Sequence, residues 1–446
     1  MNKTRHALER ALCDPDLAGK VDRATGITLR KRETLIRDSY PDWESLRESA
    51  SEIRSRSVAL LPDLVRIFTA SVEAGGGNIT IVEDYDELCR VVEEILRPYR
   101  DRPIVKGKSM LTEETGLRDF LGMRGYEVVE TDLGEFIIQL LDQSPSHITA
   151  PAIHLSRHDI SRIFRERLGG PDTTDPQILT RFARTVLRKK FLKAQAGITG
   201  ANFLVAESGT VVLLENEANI RLSSTLPDVV ISIAGVEKLI ERTTNLSPLL
   251  KLLPASATAQ IQNCYTSFLP PDPRRHIVLL AGKRMSLRED PVGSEILKCI
   301  RCGACLNTCP VFRLVGGHGY GTVYSGPMGA ILTPLLSPEH RSLPYMSSLC
   351  GACTDICPVH IPLHRLLLEL RSRSRKDFLS SSLFTLFRAG ANPRAYGMGT
   401  SIFRKLPNTI RRRLLGPWTR KRGTFPVSPE SFREKWRRRK RERNHA

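Results

Sequence analysis

The chain has 446 residues, 41% apolar and 26% charged, which excludes wholesale disorder, collagen and a membrane-embedded bundle and, at about 150 residues per domain, leaves room for roughly three domains. No apolar run approaches the roughly 18 residues of a spanning helix, and Met1 to Asp16 lacks the apolar core of a secretory signal, so a cytoplasmic chain is expected. The formal charge is +19, yet 22 Lys/Arg against 4 Asp/Glu lie between Arg371 and Ala446; a near-neutral body carries a basic tail, and a uniformly basic nucleic-acid-binding core is disfavoured.

Residues 1–60 are charged, with Leu, Ile and Val at helical spacing, and read as short helices. Over 61–285 helical and strand patterns alternate, the signature of an open α/β sheet. Helices are predicted over Asp84–Tyr99, Glu113–Met123 and Asp159–Leu168, the last started by Ser156, whose oxygen can cap free backbone N–H groups. Strands are predicted over Pro103–Val105, Tyr126–Val129, Phe203–Val205, Thr210–Leu214 and Val229–Ile233. Two apolar runs meet at Glu207-Ser208-Gly209 as at a hairpin turn, so the sheet should be mixed rather than purely parallel. Residues 286–370 hold most of the cysteines. Residues 371–446 form a basic extension, helical over Asp377–Arg388 and disordered over Arg437–Arg443.

Several features of the body read as structural. Gly75-Gly76-Gly77 lacks the spacing of a dinucleotide fingerprint and reads as a flexible link. Lys106, Lys108 and Ser109 precede a helix, where an anion could bind, but a solvated loop suits them better. Glu207, Ser208, Gly209 and Thr210 suit a hairpin turn or the wall of a ligand cleft. His147, His154 and His158 match no metal spacing and read as loop or surface residues. No catalytic set of side chains declares itself.

The cysteines carry the chemistry. Seven of ten lie between Cys299 and Cys357, and in a reducing compartment such clustering points to metal before disulfide. Cys299-x2-Cys302-x2-Cys305-x3-Cys309-Pro310 is the bacterial ferredoxin spacing, in which the fourth cysteine crosses to the other cluster. Soft, anionic thiolates match iron–sulfur clusters. Zinc knuckles, the competing reading, favour paired CxxC units. A second copy follows: Cys302–Val311 and Cys350–Val359 agree at seven of ten positions, and Cys299 falls opposite Ser347. The crossing rule then assigns Cys299, Cys302, Cys305 and Cys357 to a [4Fe–4S] cluster 1. It assigns Cys309, Cys350 and Cys353 to cluster 2, either [3Fe–4S] or [4Fe–4S] with a non-cysteine fourth ligand. The loop Gly316-Gly317-His318-Gly319-Tyr320 is expected beside cluster 1.

The segments CGACLNTCPVFRLVGGHGYGTVYSGPMG (from Cys302) and SSLCGACTDICPVHIPLHRL (from Ser347), with KGKSMLTEETGL (from Lys106), VVETDLGEFIIQL (from Val128), PSHITAPAIH (from Pro145) and ANFLVAESGTVVLLENEANIRLSSTLPDVVISIAGVEKLI (from Ala201), resemble the lactate utilization protein B family. The likeness runs from about residue 60 into the tail segment Gly416–Trp436. It implies an α/β LUD domain, related to ribose-5-phosphate isomerases and CoA transferases, followed by an α-helical two-cluster ferredoxin-like domain. It also implies a non-catalytic iron–sulfur subunit passing electrons during oxidation of L-lactate to pyruvate. The implied partners are a cysteine-rich subunit of the heterodisulfide-reductase type and a small LUD-domain protein. The family shares the absence of an eighth cysteine. The basic tail suits an anionic inner-membrane surface; nucleic acid is disfavoured because no aromatic platform accompanies the charge. The competing reading is an iron–sulfur redox or oxygen sensor with a nucleic-acid- or membrane-binding tail.

Overall fold

The N-terminal residues form long helices rather than short ones: α1 (Asn2–Cys13), α2 (Leu17–Ser39), α3 (Trp43–Ala59) and α4 (Leu61–Ala74). In α4 the residues Leu61, Leu64, Phe68 and Val72 are buried at helical spacing, an ordinary apolar stripe. In α3 the buried face is Trp43, Arg47, Ala50, Arg54, Ser57 and Val58. Two arginines on an inward face widen the buried stripe beyond the Leu, Ile and Val positions that the sequence spacing shows. The computed structural model describes residues 2–373, 430–444 and scattered positions between 402 and 428; the helix expected over Asp377–Arg388 lies outside the described residues.

Ten strands follow: β1 (Asn78–Val82), β2 (Ile104–Lys106), β3 (Val128–Glu130), β4 (Ala196–Thr199), β5 (Phe203–Val205), β6 (Thr210–Glu215), β7 (Val229–Gly235), β8 (Leu239–Ile240), β9 (Tyr265–Leu269) and β10 (Arg275–Leu280). The expected mixed sheet resolves into two. A six-stranded sheet of order β1-β10-β7-β4-β2-β3 is wholly parallel, and a four-stranded sheet of order β8-β5-β6-β9 takes the hairpin. All seven residues of β7 are buried, as a central parallel strand covered on both faces requires. Alternation sorts the faces: in β10, Val278 and Leu280 join the core around Leu88, Val92 and Leu96, whereas Ile277 and Leu279 join α4 and the second sheet.

Beyond β2 the chain turns to β3 on one side, and beyond β4 it turns to β7 on the other. These two neighbours form the topological switch point, where open α/β sheets leave a crevice outside the carboxyl ends of their strands.

The cysteine region is built from short helices, among them Pro291–Leu297, Ala304–Thr308, Pro310–Val315, Gly326–Leu336, Ala352–Asp355 and Leu363–Arg373. Its core is continuous with α2 and α3: Val21, Trp43, Ala50 and Val58 pack with Ile296, Leu297, Ile300 and Phe312. Residues Met1–Arg373 form one compact unit and Ser374–Ala446 another.

Two local expectations change. The Gly75–Gly77 stretch is a packed turn, not a flexible link; Gly76 has φ 77°, and a Cβ on Gly75 would lie 2.6 Å from Pro271 Cβ. The basic run is helical, within Phe432–Asn444. Ser431 Oγ accepts from Glu434 N–H at 3.2 Å, Glu434 accepts from Ser431 N–H at 2.6 Å, and Arg438 meets Glu442 one turn on. This reciprocal cap, with Arg, Lys and Glu as strong helix formers, outweighs like-charge repulsion. Among the described residues, no helix is long and apolar enough to cross a membrane.

Candidate metal centre

The internal repeat is visible in the backbone. Arg301 and Leu349 occupy equivalent places before a cysteine and both are left-handed, at φ 61° and 56°. Gly303 and Gly351, just after it, have φ 77° and 87°, which only glycine adopts without strain. Each pair of turns launches a short helix, Ala304–Thr308 or Ala352–Asp355. The first turn aims Arg301 N–H at Cys299 Sγ (3.4 Å), and the second aims Leu349 N–H at Ser347 Oγ (3.1 Å). Ser347 thus occupies the role of the absent cysteine in its turn.

Cys299, Cys302, Cys305 and Cys357 line one small cavity with Ile148, Met328 and Val359. Cys309, Cys350 and Cys353 form a second group: Cys350 lies close enough to help raise the Cys309 thiol, and Cys309 and Cys350 together help raise Cys353. Cys305 faces both groups, because Cys299, Cys302, Cys357 and Cys353 all act on it. Five of the seven are buried, Cys299 is partly buried and Cys350 is exposed. Cys13, Cys89 and Cys264 are free thiols elsewhere in the chain.

Burial pushes the Cys302 and Cys353 thiols up to about 12 and Cys357 up to about 11, with neighbouring sulfurs adding to the shift. Left alone, these groups would stay protonated; a bound metal reverses this by coordinating the thiolate. Among the described residues no three cysteine sulfurs lie within 4.8 Å of one another. A zinc ion holds its thiolates at about 2.3 Å, which packs the sulfurs closer than that. The set is spread for something larger than one ion.

Cations surround the first group. Arg54, 1% exposed, gives Nε to Lys298 O (3.2 Å), Nη1 to Leu239 O (3.0 Å) and Nη2 to Leu297 O (3.0 Å) and Glu237 O. It has no carboxylate within ion-pair distance, and burial lowers its pKa to about 10. Arg47 bonds Cys357 O through Nε (3.1 Å) and Nη2 (2.8 Å). Arg32 reaches Ile356 O at 3.3 Å and faces Cys302 and Cys357. Lys238 and Arg301 both face Cys299. Arg47 also pairs with Glu44 at 2.8 Å and Arg301 with Glu237 at 3.5 Å, whereas Arg32, Arg54 and Lys238 make no ion pair among the described residues; such cations are costly to bury, and thiolates ligating an anionic cluster supply the opposite charge. At the second group the Tyr320 hydroxyl, fully buried, faces Cys309 and bonds no other group. The Gly316–Tyr320 loop therefore lies beside the second group, not the first. Donor type, spacing and charge all fit iron–sulfur clusters.

The 4Fe-4S dicluster domain matches residues 295–361, and the LUD domain matches 65–283. Lactate utilization protein B of Macrococcus caseolyticus is 40% identical over 82% of this chain and 79% of its own length. Its Bacillus pumilus counterpart is 37% identical over 93% of both, and that of Exiguobacterium 43% over 74% and 72%. The chain belongs to the lactate utilization protein B family. It is an iron–sulfur protein of lactate utilization, with a parallel-dominated LUD sheet ahead of the dicluster region. In this member, sequence reasoning missed Arg32, Arg47 and Arg54; the available signal was the seven-residue spacing of Arg47 and Arg54, two turns of one helix face.

Other predicted positions fall out as follows. Lys106 is neither solvated nor an anion site: it is fully buried, with Glu130 at 2.7 Å, Glu113 at 3.4 Å and Glu135 at 3.9 Å. The three carboxylates approach one another as metal ligands could, but the Lys106 ammonium already stands among them and balances one charge, and burial holds the Glu135 carboxyl well above the usual carboxylate range. Glu207 is on the exposed hairpin turn, accepting from Thr243 N–H at 2.7 Å, and lies outside the cleft. His158 is exposed as expected. His147 is not: it is 2% exposed, between the LUD domain and the dicluster region.

Its Nδ1 accepts from Thr149 N–H (3.1 Å) and Ala150 N–H (3.2 Å), so Nε2 carries the proton and donates to Asn307 Oδ1 (3.1 Å). Burial, with Lys108 adding to the shift, lowers its pKa from 6.5 to about 4. The unfolded chain therefore takes up a proton below about pH 6.5 that the folded chain refuses until about pH 4. Stability from His147 is whole above this window and falls as pH drops through it, by up to about 1.4 kcal/mol per unit. His147→Gln should show a shallower loss of melting temperature between pH 6.5 and 4.5 than wild type; parallel losses would mean that the imidazole does not titrate there.

A cleft of about 370 Å³ opens at the switch point between β2 and β4, lined by Lys108 and Ser109 after β2, Gly200 to Asn202 after β4, and Gly235, Glu237 and Lys238 after β7. Arg301 and Tyr324 close its floor from the dicluster region.

Proposed function

We propose that the chain is the electron-relay subunit of a multi-protein assembly that oxidises L-lactate to pyruvate. In this reading Cys299, Cys302, Cys305 and Cys357 hold a [4Fe–4S] cluster, and Cys309, Cys350 and Cys353 hold a second, [3Fe–4S] or [4Fe–4S], with Ser347 beside its fourth corner. When bound, such clusters supply one-electron transfer at potentials set by net charge, hydrogen bonding and exposure.

The observation that carries the reading is the placement of the two cysteine sets. One is buried among Arg32, Arg54, Lys238 and Arg301 against a cleft, and the other reaches the surface at Cys350. Buried cations favour added negative charge on their side, and Cys350 offers an exit within reach of a partner. The relatives' name speaks of lactate utilization, and the reading extends it to electron transfer. The proposed partners are a cysteine-rich protein of the heterodisulfide-reductase type and a small LUD-domain protein. The proposed location is the cytoplasm, peripheral to the inner membrane, where each Lys or Arg of the tail adds about 1 kcal/mol on an anionic surface.

The test is bleaching of the iron–sulfur absorbance by L-lactate under anaerobic conditions. The purified chain alone should not bleach, and the three-protein mixture should. If dithionite bleaches the mixture and L-lactate does not, the lactate assignment is wrong.

A further inference from the structure

We infer that the cleft at the β2/β4 switch point binds a small organic monocarboxylate, with its carboxylate group between Lys238 and Arg301 and its polar substituent toward Asn202. The site stands on its own geometry; the choice of a 2-hydroxy acid among monocarboxylates rests on the lactate reading.

The polar groups that the cleft wall leaves unpaired select the ligand. Its carboxylates are occupied. Glu215 accepts from Ile220 N–H and Arg221 N–H, both at 2.7 Å. Asp132 caps Glu135 N–H at 3.0 Å, and Glu217 accepts from Leu133 N–H at 3.0 Å. Glu237 pairs with Arg284 at 3.1 Å and Arg301 at 3.5 Å. Lys108 is occupied too, by Thr149 O at 3.0 Å. Lys238 is different: among the described residues its ammonium makes no side-chain hydrogen bond or ion pair, although it lines the cleft and shares its surroundings with Arg301, Glu237, Cys299 and Arg54. Asn202 is half used. Its oxygen accepts from Leu214 N–H at 2.9 Å, while its amide N–H groups bond nothing among the described residues.

One free ammonium and one free amide donor match a carboxylate with an oxygen beside it; the neighbouring Arg301 guanidinium adds positive charge, although its Nη1 meets Met328 Sδ at 2.6 Å and its Nη2 is shared with Glu237 at 3.5 Å. The same wall argues against a polyanion. Asp132, Glu215, Glu217 and Glu237 all line it, and like charges within a low-dielectric cleft would repel a phosphate more than a single carboxylate. Ile148, Ile220 and Leu253 give the wall an apolar part, as organic-ligand sites have. The volume holds a three-carbon acid together with its waters. The bound acid would lie next to the turn that carries Cys299, which is where an oxidisable substrate belongs if electrons enter there.

Isothermal titration calorimetry on the anaerobically purified, cluster-loaded chain tests this, with L-lactate, pyruvate, L-lactamide and sulfate as probes. L-lactate or pyruvate should bind at least tenfold more tightly than L-lactamide, which lacks the charge, and than sulfate. Lys238→Met should weaken the acid at least tenfold. Asn202→Asp keeps the oxygen that Leu214 N–H needs and places a negative charge in the cleft; it should weaken the acid at least as much. Iron content and melting temperature equal to wild type show that each variant is folded. Failure of both acids to bind, equal binding of L-lactamide or sulfate, or unaltered binding by both folded variants would overturn the proposal. Binding that passes these checks in a system where L-lactate still fails to bleach the assembly would leave this site standing and remove the lactate assignment.

Discussion

Arg54→Met should give a chain that melts several degrees lower and retains less iron than wild type. The guanidinium donates to four main-chain carbonyls, at Glu237, Leu239, Leu297 and Lys298. Those on Leu297 and Lys298 belong to the segment that runs straight into Cys299. Methionine fills the volume but leaves buried acceptors without donors and removes a positive charge facing Cys299. Removing one member of a buried charged network costs about 3–5 kcal/mol. Arg54→Lys separates the two effects. It keeps the charge and loses the planar fork, so iron content should recover more than melting temperature does. Anaerobic melting curves and iron per chain measure both. Wild-type values in Arg54→Met would show that this arginine neither braces the LUD domain against the dicluster region nor balances its charge.

The second large effect is expected from Ser347→Cys. Ser347 Oγ already stands in the hydrogen-bonded turn that Cys299 Sγ occupies in the first copy, with N–H contacts of 3.1 and 3.4 Å respectively. Arg371 holds the Ser347 carbonyl at 2.7 Å, which fixes the turn. A sulfur placed there needs no backbone change. If the second site holds a [3Fe–4S] cluster, iron per chain should rise from about seven to eight and the three-iron EPR signal of the oxidised protein should vanish; if it holds a [4Fe–4S] cluster, the count stays near eight and the EPR signal of the reduced second cluster should change as its fourth ligand becomes a thiolate. A three-iron signal that persists in Ser347→Cys, or a second-cluster signal identical to wild type, would mean that the second site does not end at Ser347.

How legible the chain was depended on which atoms carry the message. The cysteine pattern is a covalent spacing, so its grouping could be read directly, down to the equivalence of Cys299 and Ser347. Strands such as Phe203–Val205 and Val229–Ile233 announced themselves because β-branched and apolar runs have few other uses, though the second runs on to Gly235. The division into two sheets was not legible, because a hairpin turn says nothing about which strands flank it. The role of α2 and α3 was hidden for a physical reason. Arg32, Arg47 and Arg54 are buried because each finds main-chain carbonyls supplied from far along the chain, which no local window contains. Lys106 misled in the same way; its three carboxylates come from Glu113, Glu130 and Glu135. His147 looked like a loop histidine because Asn307, its partner, is 160 residues away.

The arginine contacts also set an order of events in biosynthesis. Arg47 bonds a carbonyl 310 residues downstream, Arg32 one 324 residues downstream, and Arg54 two that lie 243 and 244 residues on. A ribosome delivers α2 and α3 long before it delivers Cys357. Until then Arg54 can meet only its acceptors on Glu237 and Leu239, and Arg32 and Arg47 wait on an apolar face for carbonyls that have not yet been made. Contacts of such separation form late, because loop closure must precede the reward. The first helices made are therefore among the last to dock, and their docking coincides with the moment when all four thiols of the first group are present. A nascent chain arrested before residue 357 should carry protease-sensitive N-terminal helices, and their protection would serve as a clock for completion of the metal centre.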